Sequence, residues 1–213
     1  MKSGGINTSE QFVAVYCDGT FLSLWGMANS IGKNGSKELC DYLVVCDPDI
    51  IIVSVKDVRL ASELNSVTAE KWYRKAVEAS AKQVYGAERY LTGATAISDR
   101  SGRTLPLPSL HRRQIHRLCV AFGSQGRLGL PMGDLGKGFV HVTDEVSFPV
   151  LLRELDTISD LTHYLDAKRS FLHSHRHVVT PGEEHLLALY LSTGRSFPDG
   201  YNALEAVFTT TFG

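Results

Sequence analysis

The chain lacks an excess of either charge. Its 22 Lys and Arg residues stand against 23 Asp and Glu, for a formal net charge of −1. No global basic field therefore advertises nucleic acid, although a local basic surface would be enough to hold one. Cysteine is scarce. Cys17, Cys40, Cys46 and Cys119 are the four, with no CxxC spacing, and three of them lie in apolar runs and read as small core residues. No run of eighteen apolar residues occurs, so no membrane-spanning helix is expected. A reducing, cytoplasmic setting is the expectation that follows. Internal repeats and low-complexity tracts are also missing, which sets aside solenoids and linker-like chains.

What is present is ordinary globular composition. The 213 residues are 43% hydrophobic and 21% charged, enough for one large domain or a domain with an appendage. Thr8, followed three residues later by Gln11, forms a capping box. It predicts a short helix to about Cys17, ended by Asp18-Gly19. Phe21–Trp25 reads as a strand and Gly26–Lys37 as a flexible loop. Ala69–Leu91 carries the clearest helical period, through Trp72, Tyr73, Ala76, Val77, Ser80, Val84, Ala87 and Leu91. Gln114–Phe122 and Phe139–Val142 read as strands. After Asp144 the pattern turns helical, over Ser147–Leu155 and Ile158–Leu172, and over a last helix opened by a capping box at Thr180 to Glu183. The expected organisation is an α/β core over 1–143 and a helical extension over 144–213. The ending Thr-Thr-Thr-Phe-Gly suggests a frayed end or a longer natural chain.

The densest information lies between Glu38 and Asp57. Two apolar, β-branched runs, Leu39–Cys46 and Ile50–Val55, flank Asp47-Pro48, which predicts a hairpin. With a two-residue loop, Cys46 faces Asp49, Asp41 lies opposite Ser54 and Leu39 opposite Lys56. Alternation then places Asp41, Ser54 and Lys56 on one face. A carboxylate beside a lysine is either a cross-strand ion pair, contributing up to about 1 kcal/mol, or the core of a site that holds a divalent cation beside a water-activating amine. Glu10 is a third candidate, in line with Val13, Ala14 and Cys17 on the first helix. An acid in a first helical turn also suits the helix dipole.

This order is a helix with Glu10, a strand, a glycine-containing loop, a strand with Asp41, a turn, a strand ending Ser54-Val55-Lys56, and a long helix. It resembles the PD-(D/E)XK nuclease superfamily. Over roughly residues 8–92 the layout is most similar to archaeal Holliday-junction resolvases and other small restriction-endonuclease-like nucleases. The resemblance implies a restriction-endonuclease-like mixed sheet flanked by helices, and Mg²⁺ or Mn²⁺ as the cofactor. It implies DNA as the substrate, with RNA second, and allows a homodimer. Asp41 would be the metal-binding aspartate, Lys56 the catalytic lysine and Glu10 the helix glutamate. Gln83, on the inward stripe of the long helix, would match a glutamine that several of these nucleases carry. One position departs from the pattern: the acid expected two residues before the lysine is Ser54, and a hydroxyl is a poor Mg²⁺ ligand. Either Glu38 or Asp57 supplies the acid, although both are on the wrong parity for a regular strand, or the metal site is lost. In the last case the fold would only bind nucleic acid or protein. A structural domain of a larger assembly is the remaining alternative.

Two other groups stand out. Arg100, Arg103, Arg112, Arg113 and Arg117, with His111 and His116, form a local basic segment that could hold phosphates or simply be solvated. His173, His175 and His177 alternate, with His163 and His185 nearby, but fit no structural zinc signature. The glycines at 123–138 lack the spacing of a phosphate loop.

Overall fold

The computed structural model describes residues 7–32, 38–174 and 182–198. Its centre is a mixed eight-stranded sheet flanked by helices. The elements run α1 Thr8–Trp25, β1 Gly26–Ile31, β2 Glu38–Cys46, β3 Asp49–Asp57, α2 Ser66–Tyr73, α3 Ala79–Leu91, β4 Ala96–Ser98, β5 Thr104–Pro106, β6 Gln114–Phe122, β7 Gly133–Asp134, β8 Phe139–Thr143, α4 Ser147–Glu154, α5 Ile158–Ser174 and α6 Glu183–Ser192. The strand order is β5-β4-β1-β2-β3-β6-β8-β7. β1, β2 and β3 pair antiparallel, while β3–β6 and β6–β8 are parallel. No described helix is long and apolar enough to cross a membrane.

The central strands are apolar on both faces because helices cover both. One face of β2 and β3, with Leu43, Val45, Ile50 and Ile52, packs on Trp72, Ala76, Val77, Val84 and Leu91 of α2–α3. The other face, with Val44, Ile51, Val53 and Val55, packs on Val13 and Cys17 of α1 and on Phe148, Leu151, Leu161 and Leu165 of α4–α5. Residues after 143 therefore share a core with the first helix and the sheet.

Several boundaries differ from the sequence reading. Asn7, not Thr8, caps α1, and its box partner is Glu10: Asn7 accepts from the Glu10 N–H at 2.8 Å, and Glu10 accepts from the Asn7 N–H at 3.2 Å. The helix runs past Asp18-Gly19 to Trp25, with a kink at Leu22 (φ 59°) where a strand was expected. Gly26–Ile31, expected as loop, is a strand because β2 supplies its hydrogen-bonding partner. Gly26 is needed there: a Cβ would sit 2.0 Å from the Tyr42 hydroxyl. The long helix is interrupted by a π-helical turn, Arg74–Glu78, between α2 and α3. Gly182 caps α6. Thr180, His175 and His177 lie outside the described residues.

Candidate functional site

The hairpin takes the expected register, from Cys46 opposite Asp49 to Tyr42 opposite Val53. Beyond Tyr42 an acid side chain replaces the backbone ladder. The Val55 N–H is donated to Asp41 Oδ2 at 2.6 Å, and Asp41 is only 6% exposed. Lys56 Nζ lies 3.9 Å from the same oxygen. Its ammonium donates to Gln83 Oε1 at 2.5 Å and to the Val55 carbonyl at 3.0 Å. The Lys56 side chain remains 31% exposed, so one side of the ammonium meets solvent.

Ser54 occupies the position where the resemblance implies an acid. Its hydroxyl is fully buried, lies 3.1 Å from Ser80 Oγ and donates to Gln83 Oε1 at 3.0 Å. Gln83 Oε1 therefore accepts from both Ser54 and Lys56. The serine acts on the lysine through an amide whose position it fixes.

The two acids proposed as replacements go to different places. The Asp57 carboxylate accepts the Ser9 hydroxyl of α1, on the face opposite α3, as alternation requires. Glu38 instead comes against Asp41. The β1–β2 register shifts between Ser30, opposite Cys40, and Ile31, opposite Glu38. That bulge breaks the two-residue alternation, so Glu38 escapes the parity of a regular strand. Burial, then the hydrogen bond and charge of Asp41, then the charge of Glu10 push the Glu38 carboxyl up to about 7, against the pull of Arg100. Glu10 is raised too, chiefly by burial, with its Asn7 bond and Lys56 pulling down and Asp41 pushing up. Glu10 has a structural duty as helix cap and reaches the other acids through its charge.

Among the described residues, no group of three or more His, Cys, Asp or Glu side chains is placed to hold a metal ion. Asp41 and Glu38 are a pair of carboxylates with Glu10 behind them. A pair suits Mg²⁺, which is commonly held by one or two carboxylates and keeps waters or substrate phosphate oxygens in its other positions. Burial first, then the hydrogen bond and charge of Asp41, lift the Glu38 carboxyl to about 7, and a cation placed there would offset them.

Most of the basic segment is consumed by the fold. Arg113 caps the end of α3 through the carbonyls of Leu91 and Ala94. Arg117 pairs with Glu88, Arg112 with Asp47, and Arg103 binds the Ser23 carbonyl. Arg100 of that set acts on Glu38, drawing its carboxyl down.

A second polar layer lies beneath α5 and was not found by sequence reasoning. His116 is buried, with Nε2 2.8 Å from Asp49 and Nδ1 3.7 Å from Asp166. Lys168 pairs with Glu183 at 2.5 Å, and the Tyr164 hydroxyl donates to Glu183 at 2.7 Å. Burial, reinforced by the charges of Lys168, His116 and Arg169, holds His141 well below the usual histidine range. Among the described residues its Nδ1 meets no hydrogen-bond partner. In the sequence, Glu183 reads as a capping acid and His116 as part of the basic segment, and neither announces the layer. Among the described residues the histidines form no metal cluster.

Comparison of the chain with protein-family models, with curated proteins and with solved structures gave no match.

Proposed function

We propose that this chain is a Mg²⁺-dependent nuclease hydrolysing phosphodiester bonds in DNA, of the PD-(D/E)XK kind that its order of acids and lysine resembles. The observation that carries this is the Lys56 ammonium beside Asp41, with Glu38 crowded onto the same carboxylate. Asp41 and Glu38 would hold the cation, which supplies charge neutralisation at the phosphate and a more acidic bound water. Lys56, held by Gln83 and the Val55 carbonyl, presents its free side to a water or to the phosphate oxygen that gains charge. Ser54 keeps Gln83 aimed at Lys56. At neutral pH, Glu38 is poised between holding and releasing its proton, and cation binding would drive that proton off.

A second reading is favoured by the lack of a three-ligand group among the described residues: the same fold as a nucleic-acid-binding module without catalysis. Incubation of labelled DNA and RNA with Mg²⁺ or Mn²⁺ separates the two. The nuclease cuts, and Asp41→Ala and Lys56→Ala each lower the rate by about 10²–10⁴-fold. A wild-type chain that binds either polymer but cuts neither belongs to the second reading.

A further inference from the structure

Immediately beyond Lys56, the chain builds a cleft on the same face of the sheet. The segment after β3 and the helix α2 enclose a cavity of about 340 Å³. Arg59, Lys71 and Lys75 line it, and no carboxylate does. Among the described residues none of these three makes an ion pair, so their charge is not cancelled by a neighbouring carboxylate. Lys71 and Lys75 are four residues apart on consecutive helical turns. A like-charge pair at that spacing is unfavourable in itself and favours an anion between them.

The cleft is built rather than incidental. Its floor is Leu60 and the buried Trp72, whose indole N–H donates to the Val58 carbonyl at 2.6 Å. The Val58 and Leu60 N–H groups each donate, at 3.2 Å, to the Phe122 and Gly123 carbonyls at the end of β6. Gly123 has φ 97°, and a Cβ there would stand 2.2 Å from the Val58 carbonyl oxygen. The wall that carries Arg59 is thus pinned to the sheet at a position only glycine permits.

We infer that the cleft of Arg59, Lys71 and Lys75 holds a backbone phosphate of the polynucleotide strand that Lys56 acts upon. The choice of a polynucleotide rests on the nuclease reading. The anion specificity rests on the cleft. Arg59 lies three positions after Lys56, at most roughly 10 Å of chain, so both can reach one strand. A phosphate seated here would set which bond is presented to Asp41 and Lys56.

Another cavity, of about 740 Å³ between α3 and residues 135–137, makes an internal control. Lys82, Arg89 and Lys137 line it together with Glu78 and Glu88, so its charge is mixed.

The test is binding of fluorescein-labelled DNA, single-stranded and duplex, followed by anisotropy in EDTA over a series of salt concentrations. Without a divalent cation, binding is read apart from cleavage. The variant Arg59→Ala/Lys71→Ala/Lys75→Ala is expected to bind at least ~10-fold more weakly, with a log–log salt slope shallower by about one per lost phosphate contact. Lys71→Arg/Lys75→Arg is expected to keep wild-type affinity. Lys82→Ala/Arg89→Ala at the control cavity is expected to change affinity less than twofold. All replaced side chains are exposed, and circular dichroism confirms folding. DNA binding in EDTA that needs the three cations supports the inference even if no cleavage is found, in which case only the nuclease reading falls. Wild-type affinity in the triple variant, or no DNA binding by the wild type, overturns the inference. Binding of pyrophosphate by the three cations without DNA binding likewise overturns it, in favour of a free phosphate ligand.

Discussion

Two polar assemblies lie on opposite faces of the same sheet, and they treat charge differently. Beneath α5 a buried lysine is matched by a buried acid. Lys168, fully buried, meets Glu183, 1% exposed, and Tyr164 adds a third contact; His116 sits between Asp49 and Asp166. At the open end of β2 and β3, acid is set against acid, and Glu38 is pushed up to about 7 beside Asp41 and Glu10. Matched buried charges are what a chain needs to keep ionisable groups in a core. Beside the partly exposed lysine, burial and the neighbouring acids make Glu38 hold a proton that a bound cation would displace. The first assembly is read as structure and the second as a site.

The largest effect should come from unbalancing the matched side. Lys168→Ala leaves Glu183 buried without its cation and is expected to cost about 3–5 kcal/mol in urea unfolding, while Lys168→Met with Glu183→Leu recovers most of the loss. Unchanged stability in Lys168→Ala would erase the contrast between the two faces.

The pH dependence sharpens the comparison, because the two faces oppose each other. Glu38 is raised in the folded chain, so the folded form binds a proton that the unfolded form releases. Its contribution is full below about 4.5 and is lost as pH rises through about 7. His141 is lowered, so its contribution is full above about 6.5 and is lost as pH falls. Glu38→Gln is therefore expected to raise the melting temperature at pH 8 more than at pH 5, and His141→Phe to flatten the acid side of the curve. Melting curves from pH 5 to 8 that keep the wild-type shape in both variants would contradict both assignments.

The smallest effect belongs to the serine in the acid position. Ser54→Ala removes the hydroxyl that holds Gln83 and is expected to cost about 1 kcal/mol. Its effect on DNA cleavage should be smaller than that of Lys56→Ala. A loss equal to that of Lys56→Ala would make Ser54 a direct participant.

The hairpin was legible because both of its determinants are local: strand alternation and the Asp47-Pro48 turn. That placed Asp41, Ser54 and Lys56 on one face, and the helical period of 69–91 placed Gln83 above them. Glu38 was legible only as one of two candidate acids, on the wrong parity for a regular strand. Its approach to Asp41 depends on a bulge defined against β1, and β1 itself is a Gly-Met-Ala-Asn-Ser-Ile segment with weak strand propensity. Partner strands, not propensity, make it a strand. The α1 boundary was lost for a similar reason: Asp18-Gly19 reads as a stop, but Asp18 accepts the Tyr42 hydroxyl at 2.5 Å and Phe21 packs in the core, which draw the helix onward. Lys168 and Glu183 meet across two helices separated in sequence, and no local pattern announces such a pair.

The claim most worth testing is that Glu38 and Asp41 together hold a cation beside Lys56. Calorimetric titration of Mn²⁺ into the wild-type chain, at pH 6 and pH 8 and in buffers of different ionisation heat, measures ion and proton together. The expected result is one ion bound, more tightly at pH 8, with protons released at pH 6; that release should vanish in Glu38→Gln, and binding should fail in Asp41→Asn. Absence of Mn²⁺ binding by the wild type, or binding with the same proton release in Glu38→Gln, would contradict it.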